Sequence, residues 1–207
     1  MRKTLAIDIN DTIRDNMYQF TKIYQKCIDP AFEIDMKDIT DYDFYNIFPF
    51  ENRDSYNEFK YVDCPFELYA RAECCDKILP IRLNDWLTNT LRDFEEDEIP
   101  NVMYVSPMEM GLTIQSTLTF LNRIGSRVRE YYFPIDSITI WDKCDVLITT
   151  NPRLIENCPI DKNVIVITTP YNKDIDTKYR FNTLLDAIND KDEIIIKLLS
   201  NDDEQEA

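Results

Sequence analysis

Two patterns of apolar and polar positions divide this chain. Thr4 to Ile9 is a short, nearly continuous apolar run broken only by Asp8, the signature of a strand buried on both faces of a parallel sheet. Asn101 to Ser106 repeats the design. Further apolar, β-branched or aromatic runs at Val128 to Phe133, Ser137 to Trp141, Asp145 to Thr149 and Val164 to Thr168 predict additional strands, several ending in Ser or Thr. Between them, Ile114, Leu118, Leu121 and Ile124 recur at helical spacing, and Gly125 stands where a C-terminal cap glycine belongs. Strand, helix, strand in this order predicts an α/β fold on a parallel sheet. In such sheets ligands sit outside the carboxyl ends of the strands, the edge at which Asp8 and Ser106 fall.

Residues 13–98 read differently, with helical periodicity, many aromatics and the punctuating prolines Pro30, Pro49, Pro65 and Pro80. This stretch contains no good strand run and predicts a helical insertion after the first strand. Leu83, Trp86, Leu87 and Leu91 mark a helix over Ile81 to Phe94 that returns the chain to the sheet. The organisation that follows is an α/β core of residues 1–12 and 99–199, a helical insertion of residues 13–98, and a polar acidic tail at 200–207 that frays unless held.

Composition narrows the chemistry. The 207 residues carry 39 acidic and 23 basic side chains, a net charge of −16, and no histidine. Histidine-based triads, Cys-His pairs and HExxH zinc sites are therefore absent, and any acid or base in a site is a carboxylate. The acidic excess disfavours a nucleic-acid backbone or an anionic membrane as partner, and no run reaches the ~18 apolar residues that a spanning helix needs. The six cysteines show no CxxC pairing, and Met1-Arg2-Lys3 leads into a strand-like run rather than a signal-peptide core, which together point to reduced thiols in a cytoplasm. Cys74 and Cys75 lie in the helical insertion and read as packing residues. With only two glycines, Gly-rich phosphate loops are excluded, and turns that need positive φ must use Asn or Asp.

The first strand continues as Asp8-Ile9-Asn10-Asp11-Thr12. Here the chain resembles the haloacid dehalogenase (HAD) superfamily of phosphohydrolases, whose opening motif is Asp-x-Asp-x-Thr after an apolar strand. The resemblance implies Asp8 as nucleophile and Thr12 as the motif threonine, but Asn10 stands in the acid/base position, and an amide neither donates nor accepts a proton in catalysis at neutral pH. Ser106 matches the phosphate-binding Ser or Thr of the second motif. The passage Trp141-Asp142-Lys143-Cys144-Asp145-Val146-Leu147-Ile148-Thr149-Thr150-Asn151-Pro152 is similar to the Lys and acidic motifs of the 5′(3′)-deoxyribonucleotidase branch. Thr149 and Thr150 replace its two aspartates there, and the distance from Lys143 to the strand is short. Two further stretches, Ile39-Thr40-Asp41-Tyr42-Asp43-Phe44 and Thr169-Pro170-Tyr171-Asn172, are similar to that branch's helical cap and to its segment after the last core strand. The resemblance implies a Rossmann-like sheet with Asp8 on the central strand, beneath a helical cap.

Fold does not fix function. Losing the acid/base and the metal carboxylates together implies a catalytically degenerate protein, kept as a structural or interaction component. Its partner is then another protein or an assembly, and the Asn-, Asp-, Ile-, Lys- and Tyr-rich composition suggests a virus particle as one such setting. Asp11, next along the strand, faces away and does not replace the lost groups. On this reading no cofactor is needed. The alternative is a Mg²⁺-dependent phosphatase of nucleoside monophosphates that uses Asp8, Ser106 and Lys143, with Asp145 or Asp142 recruited beside Asp8 to the metal. A third reading is a phosphate or nucleotide sensor that binds at Ser106 and the following helix N-terminus without turnover, with Thr12 as a further phosphate-binding candidate.

Overall fold

The computed structural model describes residues 2–90, 94 and 98–200. Six parallel strands form one sheet in the order β3-β2-β1-β4-β5-β6: β1 (Thr4–Asp8), β2 (Asn101–Val105), β3 (Glu130–Tyr132), β4 (Val146–Thr149), β5 (Asn163–Ile167) and β6 (Tyr179–Phe181). β1 lies between β2 and β4, with Asp8 paired to Val105 and Ile7 to Ile148. The order reverses at β1, because the chain steps outward through β2 and β3 and then returns to β4 on the other side. This is the kind of switch point at which α/β sheets open a crevice. β1 and β4 at the centre are almost wholly buried and the carboxyl halves of β2 and β5 are too, as their apolar runs require, whereas the edge strands β3 and β6 are only partly covered.

Two of the short runs have a different fate. Ser137 to Trp141, read as a strand, lies in a 3₁₀ helix over Ser137–Asp142. Asp136 caps it by accepting from the Ile138 N–H, and the Thr139 hydroxyl bonds back to the Asp136 carbonyl, so local side-chain bonds outcompete a strand ladder. β6, a three-residue edge strand with an Arg at its centre, carries too little pattern to be read from sequence.

Between β1 and β2 the described chain is helical. α1 (Asn16–Cys27), capped by Asp15, and α2 (Arg53–Glu58), closed by an Asn52–Ser55 capping box, flank a cluster of aromatics. Phe20, Tyr24, Phe44, Phe48, Tyr56 and Phe59 make its centre, with Phe20 and Phe48 rings 4.8 Å apart. α3 (Leu79–Thr90) instead turns Leu79, Leu83 and Leu87 into the cluster under the sheet, so the end of the insertion packs as part of the core. Leu91 of the predicted returning helix and residues 201–207 of the acidic tail fall outside the described residues. α4 (Leu112–Arg123) follows β2 and ends at Gly125, whose φ of +70° continues the chain in the left-handed region. The remaining helices are α5 (Pro152–Glu156), α6 (Leu184–Ile188) and α7 (Ile194–Leu199). Among the described residues no helix is long and apolar enough to cross a membrane.

Candidate functional site

The carboxyl edge of β1, β2 and β4 gathers Asp8, Asn10, Ser106, Thr149 and Thr150, all buried. After β1 the chain folds into a tight turn in which the Ile13 and Arg14 amides both bond to the Ile9 carbonyl. Asp11 takes φ +53°, the left-handed conformation expected of Asp or Asn in a glycine-poor chain, although Met108 and Glu193 adopt it as well. The Asp11 carboxylate is thereby turned away from Asp8. It accepts from the Asn16 and Met17 amides at the start of α1, each at 2.8 Å, and from the Tyr171 hydroxyl at 2.9 Å.

Asp8 is fully buried and accepts the Thr149 hydroxyl at 2.7 Å and the Asn10 amide at 3.3 Å. Burial, which penalises the charged form, pushes its carboxyl up to about 7, and burial does the same at Asp11. The Thr150 hydroxyl donates to the Asn10 carbonyl at 3.0 Å. Thr149 and Thr150 thus both direct hydroxyl donors at the oxygens of β1 and its turn. Asn172 ties this edge to the end of β5, donating to the carbonyls of Thr150 and Ile167 and accepting from the Thr169 amide, each at 2.9 Å.

Asn10 sits in a ring of side chains. Its amide donates to Ser106 Oγ at 3.0 Å, and Ser106 donates to Glu109 Oε1 at 2.6 Å. The same carboxylate oxygen accepts from Arg14 Nη2 at 2.7 Å, and Arg14 closes the ring by donating to Asn10 Oδ1 through Nη2 and, at 3.1 Å, through Nε. Arg14 Nη1 bonds to Thr117 on α4 at 2.6 Å, and the guanidinium carbon lies 4.6 Å from the Tyr69 ring centre and 5.5 Å from that of Phe120. Arg14 is 0% exposed and Glu109 2%. Neither was a candidate from sequence: Arg14 is a single charge beside an apolar run, and Glu109 is one of 39 acids. The four-residue spacing from Asn10 to Arg14 across a turn was the one local signal.

Other candidates lie elsewhere. Lys143 and Asp142 are exposed, and the Asp145 carboxylate accepts the Thr4 amide at 2.7 Å, at the amino end of β1 and β4. The structure therefore brings none of the three to Asp8, because each precedes β4 and the strand's length separates them from its carboxyl edge. Thr12 lies in the turn with its hydroxyl buried and lacking a partner among the described residues. It lines a cavity of about 200 Å³ on the side of the Asp11 turn away from Asp8, walled also by Asp15, Ile167 and Thr169. Beside Asn10 lies a narrow cleft of about 50 Å³, formed with Tyr42, Lys60, Tyr69, Met108 and Glu109. Magnesium fits these residues poorly. A threonine hydroxyl already donates to Asp8 and another to the Asn10 carbonyl, and no group of three or more acidic or thiol side chains among the described residues is arranged to hold a metal.

No family model matches the chain, and no curated protein sequence matches it. Among solved structures it is similar to the Bacillus subtilis protein YfnB, a candidate HAD-hydrolase whose magnesium-bound crystal form reveals interdomain movement. The TM-score is 0.54 at 10% identity, covering 90% of this chain and 97% of that one. At this identity the likeness is one of architecture: the chain's six-stranded parallel α/β fold is similar to that of this candidate hydrolase.

Proposed function

We propose that this chain is a HAD-fold protein, nearest in design to the 5′(3′)-deoxyribonucleotidase branch, whose site no longer transfers phosphoryl groups and which serves as a structural or interaction component. The observation that carries this reading is the state of Asn10. It occupies the acid/base position, cannot carry a proton, and is held at both ends of its amide by Arg14 and Ser106. No neighbouring carboxylate takes its place, since Asp11 is bound to α1 and Tyr171 and Glu109 to Arg14 and Ser106. The cleft beside it, about 50 Å³, is far below the roughly 300 Å³ at which small-molecule pockets begin. An interaction role is supported by the exposed apolar residues Met108, Met110, Leu112 and Ile135 near the end of β2.

The test is hydrolysis of a panel of nucleoside monophosphates and an aryl phosphate, with and without Mg²⁺, by the native chain and by Asp8→Asn. The reading predicts equal, background rates. Metal-dependent turnover abolished by Asp8→Asn overturns it. A second reading, a working phosphatase, is favoured by one feature: Asp8 is retained at the carboxyl edge of a central strand. That outcome of the assay would establish it.

A further inference from the structure

The Ser106 hydroxyl, the residue that resemblance assigns to phosphate, donates to a carboxylate of the protein itself. Glu109 Oε1 receives two donors at short range, Ser106 Oγ at 2.6 Å and Arg14 Nη2 at 2.7 Å, as an anionic oxygen in a bound ligand would. The geometry of the segment explains how it arrives there. Met108, φ +60°, and Gly111, φ +54°, bracket it; a left-handed methionine is costly and persists only where its surroundings fix it. Here they do: the Met108 amide bonds to the Pro134 carbonyl at 2.8 Å, and the Met108 carbonyl accepts the Tyr61 hydroxyl at 3.1 Å. Both methionines beside Glu109 are half exposed while it is buried. Its second oxygen, Oε2, is buried with no hydrogen-bond partner among the described residues. A carboxylate placed for structure alone ordinarily has both oxygens satisfied; this one meets the donors of the seat with one oxygen and leaves the other unmet.

We propose that Ser106 and Arg14 form an oxyanion seat and that Glu109 is its built-in occupant, an intramolecular carboxylate that keeps free phosphate and carboxylate ligands out of the native chain. The inference rests on reading the Asp8 cluster as non-hydrolysing, yet the two fail separately: turnover by the native chain refutes that reading, whereas the seat is tested by anion exchange. The ligand class is a small oxyanion, and the residue that excludes it is Glu109.

The experiment is chemical rescue of Glu109→Ala, followed by urea unfolding in sodium chloride, acetate and phosphate at matched ionic strength. In chloride the variant unfolds at lower urea than the native chain, because the Arg14 charge has lost its buried partner. In acetate or phosphate its midpoint rises saturably by at least half of the loss, beyond the general salt stabilisation that the native chain shows in the same anion. Adding Ser106→Ala to Glu109→Ala raises the half-saturating anion concentration at least fivefold. Glu109→Gln, whose amide still fills the seat, is destabilised but not rescued. Acetate without phosphate defines a carboxylate-sized seat, and either anion supports it. The proposal is overturned if Glu109→Ala shows the same midpoint in all three salts, if it fails to fold in every salt, if the native chain responds to acetate or phosphate as strongly as the variant does, or if Glu109→Gln is rescued equally.

Discussion

Replacing Arg14 by Met is the sharpest perturbation this structure offers. The side chain keeps much of its length and its contacts with Tyr69 and Phe120 but loses every donor: two bonds to Asn10 Oδ1, one to Thr117 and one to Glu109. Glu109, 2% exposed, is left as an unpaired buried charge. Breaking a buried pair by removing one member costs about 3–5 kcal/mol, and an orphaned Asn10 acceptor adds about 1–3 kcal/mol. The Ser106 hydroxyl still donates to Glu109 and offsets part of the first loss, so a net loss of about 4 kcal/mol is expected, a large share of the ~5–15 kcal/mol by which domains are stable. The assay is urea unfolding followed by the fluorescence of Trp86 and Trp141. Adding Glu109→Leu removes the stranded charge and should recover more than half of the loss, a coupling of about 2 kcal/mol or more in the double-mutant cycle. An Arg14→Met chain within about 1 kcal/mol of native, or a double variant less stable than the single one, would refute the view that this ring is neutralised internally.

Three other outcomes follow from the same geometry. Asp8 and Asp11 have their carboxyls raised from 3.8 to about 7 by burial, so the folded chain holds these protons more tightly than the unfolded one. Their stabilising contribution is complete below about pH 4 and lost as pH rises through about 7; the urea midpoint should fall between pH 5 and pH 8, and Asp8→Asn should flatten that slope. Tyr171→Phe deletes the hydroxyl donated to Asp11 at 2.9 Å, for an expected loss of about 1.5–3 kcal/mol, measurable as a lower midpoint at pH 8; an unchanged midpoint would mean that the bond contributes nothing. Lys143→Ala lies at the opposite edge of the sheet, exposed, and should leave stability within about 0.5 kcal/mol of native and any phosphate hydrolysis unchanged; an altered rate would place Lys143 at the site after all.

The strands that could be read from sequence are those with the least freedom. β1 and β4 are covered on both faces, as are the carboxyl halves of β2 and β5, so their runs are predominantly apolar and no helical reading competes over so few residues. The run at Ser137 looked alike, but an Asp immediately before it and a Thr within it offered side-chain bonds that wound it into a 3₁₀ turn. β6 was too short to register.

The sequence by itself determined that the sheet is parallel and that Asp8 and Ser106 share its carboxyl edge. These are local properties, set by strand periodicity and by residue identity within a motif. What fills the site was decided only by tertiary structure. The Arg14–Glu109 pair joins residues 95 positions apart, and nothing in the neighbourhood of either indicates that a guanidinium will be buried against an asparagine or that a loop carboxylate will take the hydroxyl of Ser106. Lys143 and Asp145 fail for the complementary reason: proximity in sequence to a site strand does not say at which end of that strand a residue lies, and the direction of β4 puts them at the far one.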